Sequence, residues 1–140
     1  MDACIALLGE LNYLAVLAAT LISMFLGALW YSPILFGNNW MKLMGFTEEQ
    51  LKKEGSAKEM AVSVFTSFIE ALMLASLILM TGTKTFFSGV HLGAMIGIGI
   101  IAMVNLSNAM FNRVPLKLWG INSGYRIVYY MINGGILAIW

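Results

Sequence analysis

The sequence predicts an all-α membrane protein, a bundle of four transmembrane helices with a short interfacial or cytoplasmic helix between the first two spans. Three observations predict this class. Of the 140 residues, 60% are hydrophobic and only 11% are charged, whereas a soluble globular domain carries about 25% charged residues. Four segments are long and apolar enough to cross a bilayer, which takes about 20 helical residues. Most lysines and arginines lie between these segments.

The four predicted spans cover residues 11–36, 60–80, 86–111 and 118–140. The first and third contain no charged residue, and the second and fourth contain one each, Glu70 and Arg126. Helices are expected because hydrocarbon offers no hydrogen-bond partner to an open backbone. We expect residues 1–140 to form a single membrane domain, with the lipid bilayer as its main partner.

The first loop, about residues 37–59, carries structure of its own. The stretch 39–44 mixes apolar and basic residues and is expected to lie along the membrane interface. Thr47 and Gln50 have the spacing of a capping box, which predicts a short helix through Lys53. The other two loops are short, so spans two, three and four should pack as antiparallel neighbours.

Basic residues are divided unevenly between the two sides of the predicted membrane. Loops one and three contain Lys42, Lys52, Lys53, Lys58, Arg113 and Lys117. The loop between spans two and three contains only Lys84. Because cytoplasmic loops are enriched in lysine and arginine, we expect a multi-pass protein with loops one and three in the cytoplasm and both termini outside. The N-terminus has no basic region before its apolar stretch, so we expect no cleaved signal peptide.

Composition and motifs argue against several classes of function. The formal net charge of +1 offers no electrostatic basis for binding nucleic acid. Cys4 is the only cysteine and His91 the only histidine, so we expect no metal site. The sequence contains no motif of a known catalytic or phosphate-binding site. We therefore name no catalytic residue and no cofactor, and nothing argues for an enzyme.

Polar side chains inside the predicted spans are the candidate site. An ionisable residue in hydrocarbon costs about 2.5–3.5 kcal/mol on insertion scales, so Glu70 and Arg126 need a partner or a role. Their predicted depths are similar, so they can meet across the bundle. Amides recur at helical spacing on spans three and four; they are Asn105, Asn108, Asn112, Asn122 and Asn133. Three interpretations stay open: a polar path for a solute, ion or proton, a purely structural ion pair, or a protonated and unpaired Glu70.

His91 and the small residues complete the list of candidates. We expect His91 near the outer interface, either solvated or acting as a pH-sensitive gate. Small residues four apart give each span a face for close backbone approach. These faces contain Ala15, Ala19, Ser23 and Gly27, then Ser63, Ser67, Ala71 and Ala75, then Gly93 with Gly97, and Gly120 with Gly124. A four-span protomer has little interior of its own, so we expect a homo-oligomer.

A distinctive block closes the first span. It reads Trp-Tyr-Ser-Pro-Ile-Leu-Phe-Gly over residues 30–37 and continues to Trp40. Physically, Trp30 and Tyr31 suit the headgroup level, Pro33 ends a helix, Gly37 permits a turn, and Trp40 anchors the returning chain. The block is either an architectural corner or the mouth of a binding site.

Together with Asn12, the step 45–47 and the closing span 124–140, this block resembles a family of small bacterial membrane proteins catalogued as domain of unknown function 1761. The resemblance covers most of the chain. It implies four spans and a location in the bacterial cytoplasmic (inner) membrane, and it implies no activity.

The leading hypothesis is a homo-oligomeric small transporter or channel for a small polar solute or ion. In that case Glu70 and Arg126 are coupling or gating charges, and the asparagines line the path. The alternatives are an accessory or scaffold subunit of a larger membrane complex, and a binder of a lipophilic ligand between helices.

Overall fold

A computed structural model describes residues 2–54 and 57–140, and within them all regular secondary structure is helical, as predicted. The helices are α1 (Asp2–Glu10), α2 (Tyr13–Trp30), α3 (Gly37–Met44), α4 (Glu48–Glu54), α5 (Ala57–Thr81), α6 (Phe86–Ala94), α7 (Met103–Phe111) and α8 (Leu116–Ile139). A π-helical segment, Met95–Ala102, joins α6 to α7 without a break.

Three helices in the described residues are long and apolar enough to cross a membrane: α2, α5 and the continuous helix Phe86–Phe111. The bounds of the last two agree closely with the predicted second and third spans. The 24-residue helix α8 is also long enough, but its polar residues make it less apolar than the other three. The fold is therefore a helical membrane protein with three candidate spans.

The first predicted span was too long, because α2 ends at Trp30 rather than at residue 36. Pro33 lacks an amide hydrogen and disfavours helix in the residue before it. The chain turns instead, and the Gly37 amide donates to the Ser32 carbonyl at 2.9 Å. A Cβ at Gly37 would lie 2.7 Å from that carbonyl oxygen, so the turn into α3 requires glycine.

The second loop helix begins at the expected signal. The Thr47 amide donates to Gln50 Oε1 at 2.9 Å, and the Gln50 amide donates to Thr47 Oγ1 at 3.3 Å. The predicted capping box is therefore confirmed, and α4 follows it. Helix α3 ends at Gly45, whose φ of 74° lies in the left-handed region. Helix α1 was not predicted.

Helix α8 lies at the centre of the bundle and contacts α2, α3, α5 and the whole helix Phe86–Phe111. Its buried residues Tyr129 and Leu137 join Val16 and Leu74 in the core. The small residues predicted to pack on α2 and α5 lie mostly in this same region, because a small side chain lets the neighbouring backbone approach. The buried ones are Ala15, Ala19, Ser23, Ser67, Ala71 and Ala75.

Glycines bring α6 and α8 into backbone contact. A Cβ on Gly93 would overlap the Tyr130 carbonyl, and one on Gly89 would overlap the Gly134 carbonyl. The prediction that Gly120 packs against a neighbour is wrong, since a Cβ there would meet nothing within 4 Å. The closest contact between α6 and α8 is made by the C-terminal half of α8, far from Gly120.

Candidate functional site

A polar cleft of about 490 Å³ lies between α2, α5 and α8, at the end of the bundle that carries α3. Its polar lining consists of Ser23 and Tyr31 from α2 and the residue after it, Ser63, Thr66 and Ser67 from α5, Asn105 from α7, and Asn122, Tyr125 and Arg126 from α8. An adjoining cleft of about 650 Å³ shares Tyr31 and Asn122 and continues past Trp40 to the exposed Glu59. The two clefts have Tyr31, Met60, Ser63 and Asn122 in common, and together they are called the cavity below.

Arg126 and Glu70 form an ion pair beside this cavity. Arg126 Nη1 donates to both carboxylate oxygens of Glu70, at 2.9 Å and 2.7 Å. The side chains remain 33% and 24% exposed, respectively, so the pair is only partly covered by protein. Arg126 lines the cleft of about 490 Å³, and among the residues that the structure describes it is the only ionised side chain that does so.

Two tyrosine rings lie close to the guanidinium. Its Cζ lies 5.5 Å from the ring centre of Tyr125 and 6.0 Å from that of Tyr129, within the range of cation–π attraction. The Tyr125 hydroxyl donates to the Ser23 carbonyl and the Tyr129 hydroxyl donates to the Ser67 carbonyl, both at 3.2 Å. These bonds join α8 to α2 and α5, and they hold the two rings, whose centres are 6.2 Å apart, beside Arg126.

About two turns after Arg126 along α8, a buried hydrogen bond connects α8 to α2. Asn133 Nδ2 donates to Ser23 Oγ at 3.0 Å, and that hydroxyl donates to the Ala19 carbonyl at 2.7 Å. Asn133 is 1% exposed and Ser23 is fully buried. Asn133 therefore contributes to packing between α8 and α2 and does not line the cleft.

The aromatic side chains of Tyr31 and Trp40, which follow α2, form one wall of the cavity. The Tyr31 hydroxyl donates to Asn122 Oδ1 at 2.9 Å, and the Tyr31 ring lies 5.6 Å, centre to centre, from the rings of Trp40 and Tyr125. The Trp30 indole donates to the Ile121 carbonyl at 3.0 Å. The turn after α2 is thus bonded to the first half of α8, while Pro33 is exposed.

Other predicted residues lie away from the cleft that Arg126 lines. Asn108 and Asn112 are exposed and line a smaller pocket on the α7 side, which also contains Asn105 and Asn122. His91 is exposed on α6. In the part of the chain that the structure describes, no three His, Cys, Asp or Glu side chains are grouped closely enough to hold a metal ion.

Sequence reasoning missed several lining residues. Ser67 was assigned to a packing face, and it both packs there and lines the cleft. Tyr125 was noted only within the segment 124–140 that resembles the family. Its position next to Arg126 in the sequence could have identified it as a lining residue. Thr66 carried no signal, because a single threonine in an apolar helix usually satisfies its hydroxyl within the helix, as Thr66 does with the Ser63 carbonyl.

Comparison with protein-family models matches residues 14–138 to the family described as "Protein of unknown function (DUF1761)". The match covers most of the chain and confirms the resemblance found in the sequence. No curated protein and no solved structure matches this chain.

Proposed function

This chain belongs to the DUF1761 family, and because that family's description assigns no activity, we propose a function from the cavity itself: a membrane carrier for a small polar solute with an anionic group. The observation that carries the proposal is Arg126, an ionised side chain lining a polar cavity among apolar helices. Ionisable residues within membrane helices typically mark substrate or ion pathways.

The chemistry of the cavity favours an anion. Among the described residues, both hydrogen bonds of the Arg126 guanidinium run from Nη1 to Glu70, which leaves Nη2 and Nε to bind a ligand. A planar guanidinium suits a carboxylate or a phosphate, because it can donate two parallel hydrogen bonds. The Ser63 hydroxyl and the amide of Asn105 supply further polar contacts. A volume of about 490 Å³ is in the usual range for small-molecule sites.

The packed core beyond Arg126 favours a carrier over a continuous pore. Beyond Arg126 the bundle is filled by Val16, Leu74 and Tyr129, each at most 1% exposed. The glycine contacts between α6 and α8 add tight packing on the same side. A further cleft of about 240 Å³ at the opposite end of the bundle shares no lining residue with the cleft beside Arg126. Two clefts separated by a packed core are what one state of an alternating-access cycle requires. In this proposal, Glu70 releases Arg126 as the solute binds.

We also propose that α8 is the fourth span, in the bacterial cytoplasmic membrane with both termini outside. Its contacts with every other long helix support this, because polar residues that face protein need not be apolar to cross. A homo-oligomer is supported by the exposed Asn108, whose amide a second copy would shield from lipid.

Flux into proteoliposomes tests the carrier proposal. Uptake of radiolabelled acetate, lactate and glutamate should exceed that of uncharged glycerol for at least one anion. Arg126→Gln should abolish that uptake, whereas Arg113→Gln, the other arginine of the chain and outside the cleft, should leave it unchanged. Ser63→Trp should block the cavity, and Val62→Trp, exposed on the adjacent helix position, should not.

Equal rates for the Arg126 and Arg113 variants would exclude a guanidinium-based anion site. Undetectable flux from wild-type protein that co-purifies with a stoichiometric partner would favour the accessory-subunit alternative.

A further inference from the structure

A second cleft, of about 540 Å³, lies between α3, the turn after α2 and the first turns of α8. It shares no lining residue with the polar cavity beside Arg126. Lys42 from the last turn of α3 and Lys117 from the first turn of α8 both line it, so residues far apart in sequence bring two cations to one cleft.

Apart from Asn39, the remaining lining carries no polar side chain free to bind a ligand. The indole N–H of Trp30 is already bonded to the Ile121 carbonyl, so the ring offers carbon atoms to the cleft. The Trp30 and Phe36 rings lie 4.7 Å apart, centre to centre, and Leu43 extends this surface. Gly120 keeps the space above it open, since a Cβ there would contact nothing within 4 Å.

Within the described part of the chain, the two ammonium groups have no acidic neighbour in the cleft. Its lining contains no carboxylate, and the ion pairs among the described residues join other side chains, Lys52 with Glu48 and Arg126 with Glu70. A ligand that complements this cleft therefore carries negative charge at the lysines and an apolar portion over Trp30.

We propose that this cleft binds an anionic phospholipid, with its phosphate between Lys42 and Lys117 and an acyl chain along Trp30 and Leu43. The apolar floor argues for a lipid over a soluble anion, because a free phosphate would leave that surface uncovered. The positive charge argues for an anionic headgroup, because the ammonium of a zwitterionic headgroup would be repelled. Basic pockets between membrane helices at the cytoplasmic side bind such headgroups by the same chemistry. The inference does not depend on the carrier activity.

Native mass spectrometry of detergent-purified protein, titrated with phosphatidylglycerol or phosphatidylcholine, tests this site. Wild-type protein should bind phosphatidylglycerol more tightly than phosphatidylcholine. Lys42→Gln and Lys117→Gln should each weaken it about fivefold, the usual contribution of one basic residue near an anionic membrane surface. Lys42→Arg should retain the binding, because it keeps the charge. Lys52→Gln and Lys53→Gln, in the neighbouring helix α4, are matched controls that should have no effect.

Gly120→Trp provides a variant that keeps both lysines. Filling the open space over the apolar floor should weaken phosphatidylglycerol binding, and thermal unfolding of the same sample shows whether the fold is intact. Equal binding of the two lipids, or equal loss in the α4 controls, would overturn the proposal. Displacement of the lipid by millimolar inorganic phosphate would also overturn it, since the cleft would then recognise the anion alone.

Discussion

Arg126 shows how one residue takes part in both stability and chemistry. Its guanidinium lies against two tyrosine rings and donates to Glu70, so its charge is compensated inside an apolar bundle. Removing one partner of such a pair leaves an uncompensated charge, whereas removing both leaves none. The pair should therefore behave non-additively.

A double-mutant cycle on Glu70→Gln and Arg126→Gln should give a coupling free energy of about 1–3 kcal/mol. The same cycle on Glu48→Gln and Lys52→Gln is the control, because that pair is 73% and 75% exposed and exposed helical pairs contribute about 0.3–0.5 kcal/mol. Free energies of unfolding in mixed micelles measure both. Similar coupling in the two cycles would mean that the membrane pair contributes no more than a surface pair.

At the scale of elements, the contact between α6 and α8 depends on glycine. Both helices lack side chains where they approach most closely, and Gly89 and Gly134 place their backbones against each other. Between membrane helices there is little hydrophobic driving force, so such close packing is a main source of association. One added methyl group at the contact should therefore lower the stability of the protein clearly, whereas one added elsewhere on these helices should not.

Gly93→Ala should destabilise the protein by about 1–3 kcal/mol, the usual cost of overpacking, because the new Cβ would meet the Tyr130 backbone. Gly99→Ala is the matched control, since a Cβ at Gly99 would meet nothing within 4 Å. That variant should be neutral or gain up to about 1 kcal/mol from helix propensity. Equal unfolding midpoints for the two variants would contradict the backbone contact.

At the scale of the whole molecule, the bundle is organised around α8, the least apolar of its long helices. Its polar residues face Ser23, Ser67 and Glu70 on neighbouring helices. A helix whose polar side is covered by protein needs an apolar surface only where it meets lipid. This is why average hydropathy identifies three candidate spans, although we propose that α8 is a fourth.

Cysteine accessibility tests that topology. In a Cys4→Ser background, Lys84→Cys and Trp140→Cys should react with a membrane-impermeant maleimide on intact cells. Lys52→Cys should react only after permeabilisation, because loop one is expected in the cytoplasm. If α8 does not cross, Trp140→Cys will be protected while Lys84→Cys reacts.

The sequence by itself determined the helical class, the second and third spans, the capping box at Thr47 and the family, because composition, periodicity and local motifs are properties of neighbouring residues. It also singled out Glu70 and Arg126, since a charge in an apolar stretch stands out without any structure. The tertiary structure alone decided that Gly134, and not Gly120, packs against a neighbour, and that Tyr125 and Ser67 line the cavity with Arg126. Such contacts depend on how far each helix is rotated and shifted against the others, and no pattern within one helix encodes that.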